Sequence, residues 1–266
     1  MKKIVGIISG DPNSINSEII AKTWKQKNKF RNLNIFIIGN YLLLKKQFSQ
    51  MKYKIKLKKT DKIFNQNLKK SLYVYDIPLK FTNSFKVPIK NKSKYIKDSF
   101  NTAIKMIKKK KIVGLVNCAV NKKDLSTKMK FNGVTEFLAK KHGVLGKESM
   151  IIYNNTLSVS PITTHIKLSS VKKNISIKKI VTKTVVVNNF FKTKLGFKPK
   201  IGILGLNPHN DELRRNSEEK KIIIPAIKYL KRKRLLVNGP ISPDTAFLNY
   251  KRMGYDVLIG MYHDQV

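Results

Sequence analysis

Short runs of β-favouring apolar residues alternate along this chain with longer stretches whose apolar positions recur at helical spacing. That alternation is the signature of a mostly parallel sheet covered by helices, so the chain reads as α/β. Strands are expected over Ile4–Ser9, Asn34–Gly39, Ile112–Asn117, Met150–Tyr153, Leu157–Pro161, Lys200–Leu206, Leu235–Asn238 and Tyr255–Met261. Helices are expected over Ser17–Lys27, Ser93–Lys110, Thr135–Lys141, Ile175–Phe191, Ser217–Leu230 and Asp244–Tyr250. Between Met51 and Lys92 the pattern weakens to mixed strand and loop character, and no internal repeat is seen. The dense motifs beyond residue 128 are assigned to a second lobe, giving a first α/β domain over 1–128 and a second over 129–266.

The formal charge is +41, a balance that raises the question of a nucleic-acid partner. The lysines are spread over the whole length, together with abundant Asn and Ile, as drift into every tolerant surface position produces. A nucleic-acid binder concentrates its charge on one element among stacking aromatics or a groove-reading helix. Only Lys108–Lys111 and Lys231–Arg234 form tight runs, each after a helix-like stretch where cations suit the dipole. Nucleic-acid binding is therefore the minor reading. The apolar runs are far shorter than the roughly 20 residues a membrane span needs. The opening MKKIVGIISGDP shows no cleavage pattern, so a cytoplasmic protein is expected. A single cysteine, Cys118, excludes an internal disulfide and reads as a small buried residue at a strand end.

Ligands of open α/β sheets collect at the carboxyl ends of strands, so polar residues directly after apolar runs are the candidates for chemistry. Four such exits stand out: Ser9-Gly10-Asp11-Pro12, Thr163-Thr164-His165, Asn207-Pro208-His209 and Tyr262-His263-Asp264-Gln265. Three of the chain's four histidines thus fall at equivalent places. Neutral imidazole is a common ligand of borderline metals, so His165, His209 and His263 are expected to hold a divalent cation. Asp264 could orient that site, accept a proton or support a ligand from outside. Asp244 has two readings that remain open, an N-cap on the following helix or a carboxylate facing the same cleft. His142, before Gly143 at a helix end, reads as structural. Neither GxGxxG nor GxxxxGK[ST] occurs, which argues against a Rossmann dinucleotide site or a P-loop, so that any nicotinamide cofactor must bind in another way.

The residues that carry a resemblance are Gly10-Asp11-Pro12 with Glu18, Asn121-Lys122, and Gly133 with Thr135-Glu136-Phe137-Leu138-Ala139. Further on come Thr163-Thr164-His165, Gly205-Leu206-Asn207-Pro208-His209, Gly239-Pro240 with Asp244-Thr245, and Met261-Tyr262-His263-Asp264-Gln265. In this order and spacing the chain resembles the 4-hydroxythreonine-4-phosphate dehydrogenase family of pyridoxal phosphate synthesis. The resemblance implies the two-domain isocitrate/isopropylmalate dehydrogenase-like fold, with mostly parallel sheets flanked by helices, and a homodimer whose sites lie at the interface. It implies NAD and a divalent metal (Zn, Mg or Co) as cofactors, with His165, His209 and His263 as metal ligands contributed by both subunits. It also implies Thr135 as a contact to the small phosphorylated substrate, and Asp244 and Asp264 as carboxylates of the catalytic cleft.

The reaction so implied oxidises 4-phosphohydroxythreonine and decarboxylates the product. Departures from the family pattern bear on that reading. Val134 stands where the family carries a histidine, and its side chain makes no hydrogen bond. Asn13-Ser14-Ile15-Asn16-Ser17 and Asn210-Asp211-Glu212-Leu213-Arg214 replace glycine-rich turns. The family continues beyond the point matched by Val266 with residues that hold the substrate. The second domain is therefore expected to be incomplete at its C-terminus, and a degenerate, non-catalytic remnant is the alternative.

Overall fold

The computed structural model describes residues 3–30, 32–61, 70–125 and 133–266, without the side chains of 122 and 211–213. The described residues form two compact units, 1–137 and 138–266. The expected boundary at 128/129 lies outside the described residues. No helix among them is long and apolar enough to cross a membrane.

The first unit is built on a five-stranded parallel sheet, in the order β3-β4-β2-β1-β5. Its strands are β1 (Lys3–Ile8), β2 (Leu33–Gly39), β3 (Leu57–Thr60), β4 (Leu72–Asp76) and β5 (Gly114–Asn117). Helices α1 (Asn16–Lys25), α2 (Tyr41–Gln50), α3 (Ile89–Lys108) and α4 (Lys122–Leu125) accompany it. Ile20, Ala21 and Trp24 of α1 and Leu44 and Phe48 of α2 pack on Ile35, Ile37, Leu72 and Val74 of the sheet. Each of the leucine, isoleucine, valine and phenylalanine side chains contributes about 1.5–3 kcal/mol on burial. Asn40 starts α2 by accepting the Leu43 N–H at 2.8 Å. Opposite, α3 buries Tyr95, Ile96, Ser99, Phe100, Ala103 and Ile104, one stripe at helical spacing. The Tyr95 hydroxyl meets the Ser9 hydroxyl and accepts the Asn40 N–H at 3.0 Å, tying α3 to the carboxyl ends of β1 and β2.

Helix α5 (Val134–Lys141) follows. The second unit carries a four-stranded, all-parallel sheet in the order β6-β9-β7-β8. Here β6 is Ser158–Thr163, β7 Ile201–Leu204, β8 Val237–Ile241 and β9 Val257–Tyr262. The helices are α6 (Val171–Asn174), α7 (Ile177–Phe190), α8 (Ile224–Arg232) and α9 (Pro243–Met253). One face of the sheet packs through Ile162, Ile201, Ile203, Val257 and Ile259 against Ile180 and Val187 of α7 and Ala226, Ile227 and Leu230 of α8. The other packs Leu204 and Leu258 against Ala246 and Tyr255.

The expected strand at Met150–Tyr153 is not formed. Ile152 makes an isolated antiparallel bridge to Val159 instead. A turn in which Asn154 Oδ1 accepts the Thr156 N–H at 2.9 Å sends the chain straight back into β6, so the segment can only graze that strand. Between Met51 and Lys92 the structure resolves two parallel strands, β3 and β4. The lysine runs fall where expected, at the ends of α3 and α8.

Candidate active site

Because all four strands of the second sheet run parallel, their carboxyl ends share one edge. Across that edge the sheet order sets His165 after β6, His263 after β9, His209 after β7 and Asp244 after β8. Side-chain struts hold these exits in register. Thr163 Oγ1 donates to Met261 O at 2.7 Å, joining β6 to β9. Gln265 accepts the Met261 N–H at 2.7 Å and donates to Gly205 O at 2.8 Å, joining β9 to β7. Asn210 Nδ2 donates to Pro240 O at 3.2 Å, joining the β7 exit to β8.

The imidazoles stand on this frame as one close pair and one separate ring. His165 and His263 stack with ring centroids 5.9 Å apart and planes inclined by 29°. His263 Nδ1 donates to Asp264 Oδ1 at 2.9 Å, since an ionised carboxylate can only accept, and this leaves Nε2 to a ligand. His209 has its Nδ1 3.7 Å from Asp244 Oδ2, a separation that is electrostatic rather than a hydrogen bond. Both His165 (φ 54°) and His209 (φ 50°) adopt left-handed backbone, as does Asn210 (φ 58°). Non-glycine residues in that region are held at a cost that clusters at functional sites.

Asp244 is not the N-cap of α9. Ser242 occupies that place and Asp244 lies in the first turn behind Pro243. The Ser242 hydroxyl donates to Asp244 Oδ1 at 2.5 Å. That hydrogen bond first, then the nearby His209 and the first backbone N–H groups of the helix, hold the carboxyl below its ordinary value of 3.8. Thr135 is exposed on the first turn of α5, and Val134 beside it is half-buried.

The imidazole nitrogens, one already oriented by a carboxylate, have the chemistry a borderline divalent cation requires. Among the described residues, however, no three His, Cys, Asp or Glu side chains converge on one point. The donors fit a metal in type.

Sequence reasoning did not single out Glu219, which has no exposed surface. One of its oxygens accepts the N–H of Leu206 at 2.8 Å and of Asn207 at 3.0 Å, and the Asn207 amide lies at 3.3 Å from both oxygens. A signal was available. Glu219 falls at i, i+4, i+7, i+11 spacing with Ile223, Ala226 and Leu230, all fully buried, so a carboxylate sat on an apolar stripe.

The exit of β1 in the first unit is arranged differently. Gly10 (φ 73°) turns the chain, and an added Cβ there would strike Ala119 O. Lys92 Nζ lies 2.9 Å from Asp11 Oδ2 and 3.2 Å from Asp124 Oδ2, with all three side chains largely buried. Asn13, standing in the replaced glycine-rich turn, exchanges two hydrogen bonds with the backbone of Val87 at 2.8 and 2.9 Å. Cys118 follows β5, and burial pushes its thiol up to about 11, so it is inert as a nucleophile at neutral pH.

The chain is similar to known proteins in sequence and in fold. The family described as "Pyridoxal phosphate biosynthetic protein PdxA" matches residues 31–266. A 4-hydroxythreonine-4-phosphate dehydrogenase of Sulfurihydrogenibium sp. (strain YO3AOP1) is 36% identical over 268 residues, covering 98% of this chain and 80% of the relative. A D-threonate 4-phosphate dehydrogenase of Pectobacterium atrosepticum is 28% identical over 280 residues, covering 100% and 82%. The crystal structure of a 4-hydroxythreonine-4-phosphate dehydrogenase from Burkholderia phymatum superposes with a TM-score of 0.85 at 25% identity, covering 100% of this chain and 82% of that one.

Proposed function

This chain belongs to the PdxA family, and from that premise we propose that it oxidises 4-phosphohydroxythreonine with NAD, the product losing carbon dioxide to give 3-amino-2-oxopropyl phosphate. The observation that carries the reading is the row of three histidine-bearing strand exits along one sheet edge, His165, His263 and His209, with Asp244 closing the row. Their place in the fold is where open α/β sheets bind ligands.

In this reading His165, His209 and His263 hold a divalent cation shared between two copies of the chain, which when bound polarises the substrate's hydroxyl and then its carbonyl oxygen. NAD, when bound, would supply the acceptor for the hydride that leaves C3. The remaining work falls to the chain's own side chains. Asp264 holds His263 in the tautomer that presents Nε2 to a ligand. Asp244, kept ionised by Ser242, places fixed negative charge beside His209 and is an acceptor for the hydroxyl proton. The Thr135 hydroxyl contacts the substrate. Val134 gives no hydrogen bond where the family has a histidine, which weakens discrimination of the substrate's polar groups. For that reason D-threonate 4-phosphate, named for one relative, is the second substrate to test.

NADH formation by the purified protein, given 4-phosphohydroxythreonine or D-threonate 4-phosphate with NAD and Zn, Mg or Co, tests the reading. Turnover abolished by chelator and by His209→Ala supports it. No turnover with either substrate from a folded, metal-loaded protein withdraws the activity and leaves a non-catalytic member of the family.

A further inference from the structure

Glu219 opens a π turn, Glu219–Ile223, ahead of α8, a local geometry frequent at functional sites. Its neighbours along the stripe are apolar, so packing alone would favour an apolar side chain of similar volume there. What the carboxylate touches is the turn that follows β7. It accepts two successive backbone N–H groups, Leu206 and Asn207, directly before Pro208-His209.

Gly205 makes room for this approach, since an added Cβ would overlap Asn210 Oδ1 and stand 3.2 Å from Glu219 Oε1. Beyond the anchored turn, His209 and Asn210 are consecutive left-handed residues, a conformation that persists only where its surroundings over-determine it. The Asn210 N–H donates back to Asn207 O at 3.1 Å, so the anchored residue is also the one that closes the strained turn.

We propose that Glu219 is a positioning residue, whose buried carboxylate holds the 205–210 turn so that His209 is presented as a ligand. This rests on the proposed metal role of His209, and the two can fail separately. The experiment compares wild type, Glu219→Met, which keeps the volume and removes the acceptor, Glu219→Gln, whose amide oxygen can still accept both N–H groups, and His209→Ala. Each is titrated with Co2+ by visible absorption, assayed for kcat and KM, and examined by amide hydrogen exchange.

Glu219→Met is expected to weaken Co2+ binding by about 10–100-fold and lower kcat correspondingly, with KM for NAD within about two-fold. The Leu206 and Asn207 amides should lose protection while Ile203 in β7 keeps it. Glu219→Gln should stay within about three-fold of wild type in all of these. A folded Glu219→Met that binds Co2+ and turns over like wild type overturns the proposal, as does a Glu219→Gln no better than Glu219→Met. Should Glu219→Met not fold, Gly205→Ala decides, because crowding the turn must weaken Co2+ binding in the same direction and unchanged binding is a refutation. Co2+ binding indifferent to His209→Ala overturns the ligand premise and the proposal with it. His209-dependent binding without NADH formation removes only the reaction.

Discussion

The strand exits of the two units carry similar residue types and treat them in opposite ways. At the β1 exit Lys92 sits between Asp11 and Asp124, at 13%, 15% and 6% side-chain exposure, so charge is answered by charge inside the fold. Along the second sheet the side chains of His209, Asp244 and Asp264 stand exposed at 75%, 44% and 91%. Buried charges tolerate no missing partner, whereas exposed ones lose little when a neighbour is removed. The first exit is therefore a structural joint, and the second is a surface whose donors remain available to something else.

The largest expected effect breaks the joint. Lys92→Met leaves two carboxylates facing each other in a mostly buried site and should cost about 3–5 kcal/mol of unfolding free energy, read by urea denaturation. A loss under about 1 kcal/mol would show that solvent reaches the cluster and remove the contrast between the exits. The same ion set gives a pH signature. Burial alone lowers the Lys92 ammonium, but the hydrogen bonds and charges of Asp11 and Asp124 together outweigh it, so its pKa lies above the ordinary 10.5. A raised folded-state pKa means the contribution is fully present below 10.5 and fades as pH rises through the higher folded value. Alkaline unfolding followed by hydrogen exchange should open the β1 exit in this window, and in Lys92→Met that component should be absent.

At the second exit the expected pattern is reversed, with function lost and stability kept. Asp264→Ala removes the carboxylate that orients His263 and should weaken divalent-metal binding by about 10–100-fold, read by calorimetry. Its unfolding free energy should stay within about 0.5 kcal/mol of wild type, because the side chain is exposed. Equal losses in both measurements would make Asp264 a structural residue and the two exits alike. Ser242→Ala provides a finer probe, since removing the first cause of the Asp244 shift should return that carboxyl toward 3.8 by NMR titration.

What could be read ahead of the structure follows from the range over which each feature is encoded. The parallel sheet and its histidine-bearing exits were legible because apolar runs and the polar residues after them are adjacent in sequence. Strand β3 was not, because Leu57-Lys58-Lys59-Thr60 is an edge strand whose lysines blunt it against further pairing and erase its apolar signal. Asp244 was read as a possible cap because Ser242 and Asp244 both suit a helix start, and only coordinates show that Ser242 takes the N-cap place. The struts from Gln265 to Gly205 and from Asn210 to Pro240 join residues 60 and 30 positions apart, so no local pattern announces them. Asn210 opens the segment read as standing in place of a glycine-rich turn, and its φ of 58° is a conformation that asparagine tolerates better than most residues.

The smallest expected effects use backbone conformation to compare joint and surface on one scale. Lys52, Lys110 and Arg234 follow helices α2, α3 and α8 in left-handed backbone at φ 54–58°, the place that Gly254 (φ 67°) fills after α9. There the next residue's N–H reaches back into the last turn, as from Lys111 to Met106 O at 2.9 Å and from Leu235 to Leu230 O at 3.2 Å. A side chain in that region costs about 1–2 kcal/mol, and glycine gives back about half through its unfolded-state entropy. Lys110→Gly and Arg234→Gly should each stabilise by about 0.5–1 kcal/mol, visible as a raised Tm. His165→Gly and His209→Gly relieve the same backbone strain, so they should gain comparable stability while losing the metal. A histidine pair that loses stability on this change would be acting as part of the joint, whereas a gain marks strain retained for ligand binding.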